Sequence, residues 1–93
     1  MVTKAPRTSR ELRYDIQIAD FRKNAQEQVR CSLHEFRGHD MFSVRVWVNP
    51  GAGHNPDKMV PTRKGLTINA SLLPALQEAI DKAMQKAREL SLL

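Results

Sequence analysis

Three histidines and one cysteine are the first residues to test for chemistry: His34, His39, His54 and Cys31. Their spacing matches no common zinc-ligand pattern. If residues 29–36 form a strand, alternation puts Cys31 and His34 on opposite faces, where they cannot share an ion. No metal site and no cofactor are expected. The carboxylates are scattered or paired with Lys and Arg, and none forms a couple suited to acid–base work. Ser32, Ser43 and Ser71 stand in no nucleophile context. Gly51-Ala52-Gly53 resembles a phosphate cradle only superficially, because a strand-like segment follows it where a helix is required. No catalytic residue is predicted, and the chain is read as a non-enzyme.

The chemistry that these residue types do support is recognition. In the stretch Val29 to Val48, Phe42, Val44, Val46 and Val48 alternate with Met41, Ser43, Arg45 and Trp47. Before them, Val29, Cys31 and Leu33 alternate with Arg30, Ser32, His34 and Phe36. Strict alternation means one buried and one open face. The open face then offers Arg30, His34, Phe36, Arg45 and Trp47. Open aromatic rings leave large apolar areas in water unless something covers them. Rings interleaved with Arg suit a single-stranded nucleic acid, since rings stack on bases of any sequence and cations hold phosphates. The competing reading is that the helix or a second subunit covers Trp47.

These residues need a framework. Leu12, Tyr14, Ile16 and Ile18 alternate, which predicts a first strand over about 12–19, extending toward Phe21, though helical spacing also fits Leu12, Ile16 and Ala19. Residues 21–28 read as a polar connection. A hairpin follows, with strands at about 28–37 and 41–49 and a tight connection at Arg37-Gly38-His39-Asp40. Residues 49–57 read as a loop. Lys58 to Asn69 is β-compatible, with Pro61 marking an edge or bulge and Gly65 a kink or a close backbone approach. Arg63-Lys64 is a basic pair at that kink, well placed for phosphates.

From Ser71 the period changes. Leu73, Leu76, Ile80, Ala83, Met84, Ala87 and Leu90 follow i, i+3/i+4 spacing, which predicts an amphipathic helix of about 20 residues. Proline is tolerated only in a first turn, so Ser71 is the expected N-cap ahead of Pro74. Leu72 and Leu73 leave apolar surface beyond one stripe, enough for the helix to face its own sheet and a partner subunit.

The 93 residues make one small domain, assigned to 10–93, preceded by a flexible basic tail over 1–9. The formal net charge is +5. Residues 29–69 carry six basic and three acidic side chains, whereas 70–93 carry three of each. The excess therefore lies on the sheet and its loops and favours a polyanionic partner. A lone cysteine points to a reducing compartment. There is no apolar run of about 18 residues and no signal-peptide core, so no membrane span is expected.

Four segments in order carry a family resemblance: Phe36-Arg37-Gly38, Val44-Arg45-Val46-Trp47, Thr62 to Asn69, and the amphipathic helix. Together they resemble the positive cofactor four family of transcriptional coactivators, over about residues 12–84. The Arg-x-Trp spacing, and the absence of a Ser-rich acidic N-terminal region, are similar to its bacterial members. The resemblance implies an α+β fold: a four-stranded curved antiparallel sheet followed by one C-terminal helix (ββββα), dimerised through helices and sheet. It also implies single-stranded DNA binding and a role in transcription regulation, with DNA contacts at Phe36, Arg37, Arg45, Trp47, Arg63 and Lys64. His39 stands where the eukaryotic protein carries a lysine. The 49–57 loop is longer than the family pattern. Adding Arg30 from the open face and His39 at the family's lysine position, the predicted DNA-binding set is Arg30, Phe36, Arg37, His39, Arg45, Trp47, Arg63 and Lys64. The expected setting is the cytoplasm and nucleoid in a bacterium, or the nucleus in a eukaryote. RNA binding and a protein-interaction role within the transcription machinery are the alternatives.

Overall fold

Alternation organises the chain, and two breaks in it shape the sheet. The computed structural model describes residues 14–50 and 58–93. The predicted tail over 1–9 and most of the 49–57 loop, His54 included, lie outside the described residues. Four strands, β1 (Asp15–Arg22), β2 (Glu27–Phe36), β3 (His39–Val48) and β4 (Val60–Asn69), form an open antiparallel sheet in the order β1-β2-β3-β4. A single 3-10 turn, Ala70–Leu72, leads into α1, Leu73–Glu89.

The β2–β3 hairpin has no irregularity: Glu27 pairs with Val48 and Phe36 with His39. Its connection is only Arg37-Gly38, both at positive φ (52° and 83°). Two consecutive left-handed residues fit the twist of a two-residue hairpin, and Gly adopts that conformation without strain. His39 and Asp40, expected in the connection, are therefore strand residues. The β1–β2 connection is also shorter than residues 21–28. Phe21 and Arg22 end β1, and Asn24 ties the turn by accepting from the amides of Gln26 and Glu27 at 2.9 and 2.8 Å.

In β1 the register slips between Gln17 and Ala19. Ile18 is the extra residue, and side-chain parity changes there, so Ile16 before it and Phe21 after it share the apolar face. In β4 the break is larger. Arg45 pairs with Gly65 and Trp47 with Pro61, so Thr62, Arg63 and Lys64 bulge opposite Val46. Bulges bend a strand and tighten its twist. Gly65 is needed at the end of the bulge: a Cβ there would lie 2.3 Å from the Val44 carbonyl oxygen and 2.9 Å from the Arg45 Cα. That is the close backbone approach expected at this glycine.

Asn69 caps the 3-10 turn by accepting from the Ser71 amide at 3.0 Å, and α1 starts after Leu72. Ser71 is thus not the helix N-cap. The interposed turn lets Asn69 cap the segment while Pro74 still falls in the first turn of α1.

The back of the sheet is apolar, with Cys31 opposite Val44, Leu33 opposite Phe42, and Ile68 and Leu66 completing the rows. Burial on this face pushes the Cys31 thiol pKa up, which suits a small apolar side chain. Leu73, Leu76 and Ile80 of α1 face Phe21, Phe42 and Val44 across an apolar cleft of about 480 Å³. The fold therefore stays open at its back: Phe21 is 57% exposed, Ile80 50%, and no large side chain among the described residues is fully buried.

Candidate nucleic-acid interface

The other face of the sheet is polar and grooved. Strand parity aims Arg30, Ser32 and His34 of β2, and Ser43, Arg45 and Trp47 of β3, into one groove of about 510 Å³. Asp15 and Gln17 of β1 form one long wall and Thr67 of β4 the other. The middle of the floor is low, because Ser32 and Ser43 sit opposite each other. Ser43 is buried and its Oγ lies 3.0 Å from Thr67 Oγ1.

Trp47 belongs to this groove and not to the helix face, so α1 does not cover it. What lies over the ring is Arg30, with its guanidinium carbon 4.3 Å from the ring centre. The two are diagonal across the β2–β3 ladder, since Arg30 pairs with Arg45 and Gln28 with Trp47. Arg30 Nε also donates to Gln28 Oε1 at 2.7 Å, which helps hold the guanidinium over the indole.

Arg45 is fixed from the other side. Its two terminal nitrogens donate to the Thr62 carbonyl at 3.1 Å and to Thr67 Oγ1 at 3.2 Å. Thr62 in turn donates through its hydroxyl to the Val46 carbonyl at 2.8 Å, and its Oγ1 accepts from the Lys64 amide at 3.1 Å. The threonine thus holds the bulge shut at its base, while Arg63 and Lys64 project from it into solvent. Lys64 Nζ lies 4.0 Å from Glu27 Oε2 and stays 70% exposed. Hydrogen bonds from Lys23 at 2.8 Å and Asn24 at 2.6 Å, the dominant causes, hold the Glu27 carboxyl below its usual pKa.

The remaining predicted residues gather elsewhere. Phe36, Arg37 and His39 are exposed at the hairpin tip, where Phe36 and His39 are directly opposite. The Arg37 guanidinium carbon lies 5.0 Å from the Phe36 ring centre, over a ring that is 56% exposed. His39 to Trp47 is about 26 Å along β3 at the rise of a strand. The predicted set therefore divides into a groove end (Arg30, Arg45, Trp47, with Arg63 and Lys64 on the rim) and a tip (Phe36, Arg37, His39). Sequence reading missed the two threonines that hold Arg45 and the Asp15–Gln17 wall. The run Thr62-Arg63-Lys64-Gly65-Leu66-Thr67 carried the first signal, in hydroxyls flanking the kink. The parity change between Ile18 and Phe21 carried the second.

Among the described residues no group of three or more His, Cys, Asp or Glu is placed to hold a metal ion. No helix among them is long and apolar enough to cross a membrane.

A sheet with an apolar back, a helix lying behind it and a basic, aromatic groove in front defines a small class of α+β proteins. The chain belongs to the PC4 family: the model of Transcriptional Coactivator p15 (PC4) matches residues 23–79. Crystal structures of a PC4 homologue from Burkholderia pseudomallei K96243 share the fold. Its orthorhombic form is 32% identical with a TM-score of 0.61, over 73% of this chain and 86% of that one. Its tetragonal form is 30% identical with a TM-score of 0.63, over 76% and 98%. A more distant match, 24% identical with a TM-score of 0.48 over 83% and 96%, is the bacteriophage T5 homologue of the eukaryotic transcription coactivator PC4, implicated in recombination-dependent DNA replication. No curated protein matches the chain.

Proposed function

We propose that this protein binds single-stranded DNA through the grooved face and acts in transcription or another process that exposes unpaired DNA. The observation that carries this reading is the combination on one sheet face of Trp47, with Arg30 laid against it, the tethered Arg45, and the solvent-facing Arg63 and Lys64. Phosphates are held by Arg30, Arg45, Arg63 and Lys64, and at the tip by Arg37 and His39. Bases stack on Trp47 at one end and Phe36 at the other. An unpaired strand supplies both groups at once, whereas a duplex hides its base faces. Membership in the PC4 family supports the same reading.

We further infer that the working form is a homodimer joined by the apolar back. Ile16, Phe21, Leu66, Ile80 and Met84 are exposed there, more apolar surface than a soluble monomer ordinarily presents.

The test is fluorescence anisotropy with labelled oligonucleotides of about 20 nucleotides, enough to fill a groove of this kind. Single-stranded DNA, duplex DNA and single-stranded RNA are compared over a salt series. Tight, salt-dependent binding to single-stranded DNA with quenching of Trp47 emission is expected. Equal, weak, salt-erased binding to all three with unperturbed Trp47 emission would refute the reading.

A further inference from the structure

The two long walls of the groove differ in charge. On the β4 side stand Arg45, Arg63 and Lys64. On the β1 side stand Asp15 and Gln17, opposite His34 and Ser32 respectively. Farther along β1, Asp20 accepts from the Gln17 amide nitrogen at 2.6 Å. Two carboxylates on one wall repel a phosphodiester, and the cations opposite attract it. This asymmetry favours a strand whose backbone runs along β4 and whose bases point across the floor toward β1.

The floor is lowest over Ser32 and Ser43, with Arg30 and Trp47 at one end and His34 at the other. A base lying there has Gln17 beside it, opposite Ser32, and reaches Asp15 at the next pair on the same face, opposite His34. A carboxylate can only accept. One N–H of the Gln17 side-chain amide is engaged with Asp20, which leaves its carbonyl oxygen as an acceptor and its second N–H as a donor, so the group that only accepts is Asp15. Cytosine, adenine and guanine carry exocyclic amino donors, whereas thymine carries carbonyl oxygens at the corresponding positions and has the ring N3–H as its one donor. A carboxylate that can only accept discriminates against a base that turns a carbonyl oxygen toward it.

We propose that the depression over Ser32 and Ser43 takes a single nucleobase, and that Asp15 makes it selective for bases with an exocyclic amino group over thymine. This rests on the single-stranded DNA reading and adds one discriminating position to a groove that otherwise tolerates any base.

The test is competition binding of oligo-dC and oligo-dT of equal length near neutral pH, with the wild type, Asp15→Ala and Asp20→Asn. The wild type should prefer oligo-dC by about tenfold, the size of one charge-assisted hydrogen bond. Asp15→Ala should collapse that ratio toward one, chiefly by tightening oligo-dT as the repulsion is lost and forfeiting the gain on oligo-dC. Asp20→Asn removes a charge from the same wall but keeps a side-chain oxygen that can still accept from Gln17, so it should tighten both ligands and keep the ratio. A ratio unchanged by Asp15→Ala, or one that Asp20→Asn collapses equally, would overturn the proposal while leaving single-strand binding intact. No binding of either oligonucleotide by the wild type would overturn the single-stranded DNA reading itself.

Discussion

Arg30 lies over Trp47, its guanidinium carbon 4.3 Å from the ring centre and its Nε bonded to Gln28. The indole thus has a cation over its ring while the residue stays only half-buried in the groove. A base reaching this ring either displaces the guanidinium or stacks against it. In both cases the ring and the cation act together, because a desolvated cation–π pair is worth more than an exposed one.

Trp47→Ala should weaken single-strand binding by about 1–3 kcal/mol, the cost of removing one stacking platform. Trp47 is on the groove face and contributes nothing to the apolar back, so the far-ultraviolet circular dichroism should not change. Arg30→Ala should weaken binding too. The double variant should lose less than the sum of the two, because neither group works fully without the other. Anisotropy titrations of the three variants measure this, and full affinity in a folded Trp47→Ala protein would remove the stacking role.

Gly65→Ala tests the bulge. The new methyl would fall 2.3 Å from the Val44 carbonyl oxygen, at a backbone φ of 152°. Backbone cannot swing aside as a flexible side chain can, so β4 must separate from β3. The cost should be at least the roughly 1–3 kcal/mol typical of overpacking. The separation also breaks the Thr62–Val46 bond and frees Arg45 from the Thr62 carbonyl. A lowered denaturation midpoint together with weakened binding is expected. An unaltered midpoint would contradict the close approach.

Most of this architecture was legible in the sequence because alternation is a local signal. Phe42 to Val48 fixed the apolar and open faces of β3, and the helical period after Ser71 placed α1. Gly65 and Pro61 announced a disturbed β4. The exact turns were less legible. Whether His39 belongs to a turn or a strand depends on Arg37 taking a positive φ, which an arginine does only when the hairpin twist demands it. The N-cap likewise depends on a 3-10 turn that no periodicity reveals. The groove walls were hidden for another reason. Asp15 and Gln17 enter the site through a pairing register across β1, and the slip at Ile18 breaks the count on which face assignment relies. Phe36 and Trp47 share a face by parity, but only the hairpin register shows that they stand at opposite ends of it.

Lys64→Ala should lower the magnitude of the slope of log affinity against log salt by roughly 0.7, the value for one phosphate contact on a single strand. Lys64 is 70% exposed and its only described ion-pair partner, Glu27, lies 4.0 Å away. The substitution should therefore cost little stability, as exposed ion pairs contribute little. An unchanged slope would take Lys64 out of the phosphate contacts.

Glu27 gives the protein a small pH response. Its carboxyl pKa is lowered from the ordinary 4.5, first by the hydrogen bond from Lys23 and then by that from Asn24. A depressed carboxylate pKa stabilises the fold above the unfolded-state value, and that contribution disappears as pH falls through the folded-state value. The wild-type melting temperature should therefore decline below about pH 4.5 more steeply than that of Glu27→Gln. Thermal melts of the two proteins across that range, at low salt, give the comparison. Parallel curves would mean that the turn contacts of Glu27 carry no protonation-linked stability.

The apolar back sets the last prediction. Among the described residues only Val29 and Met59 form a buried hydrophobic core, while Phe21, Ile80 and Met84 stay exposed. A 93-residue chain with so little buried area would gain stability if a second copy covered that face, as the proposed dimer requires. The melting temperature should therefore rise with protein concentration, and light scattering should give twice the chain mass. Ile80→Glu sets a charge on the helix surface that lines the apolar cleft with Phe21 and Phe42. It should dissociate the dimer, and the chain should lose cooperative unfolding as it does so. Ile80 is far from the groove in function, so residual single-strand binding by any folded fraction should keep the wild-type salt slope per subunit. A wild-type melting temperature independent of concentration, with a monomeric mass, would show that the open back is stable in water on its own.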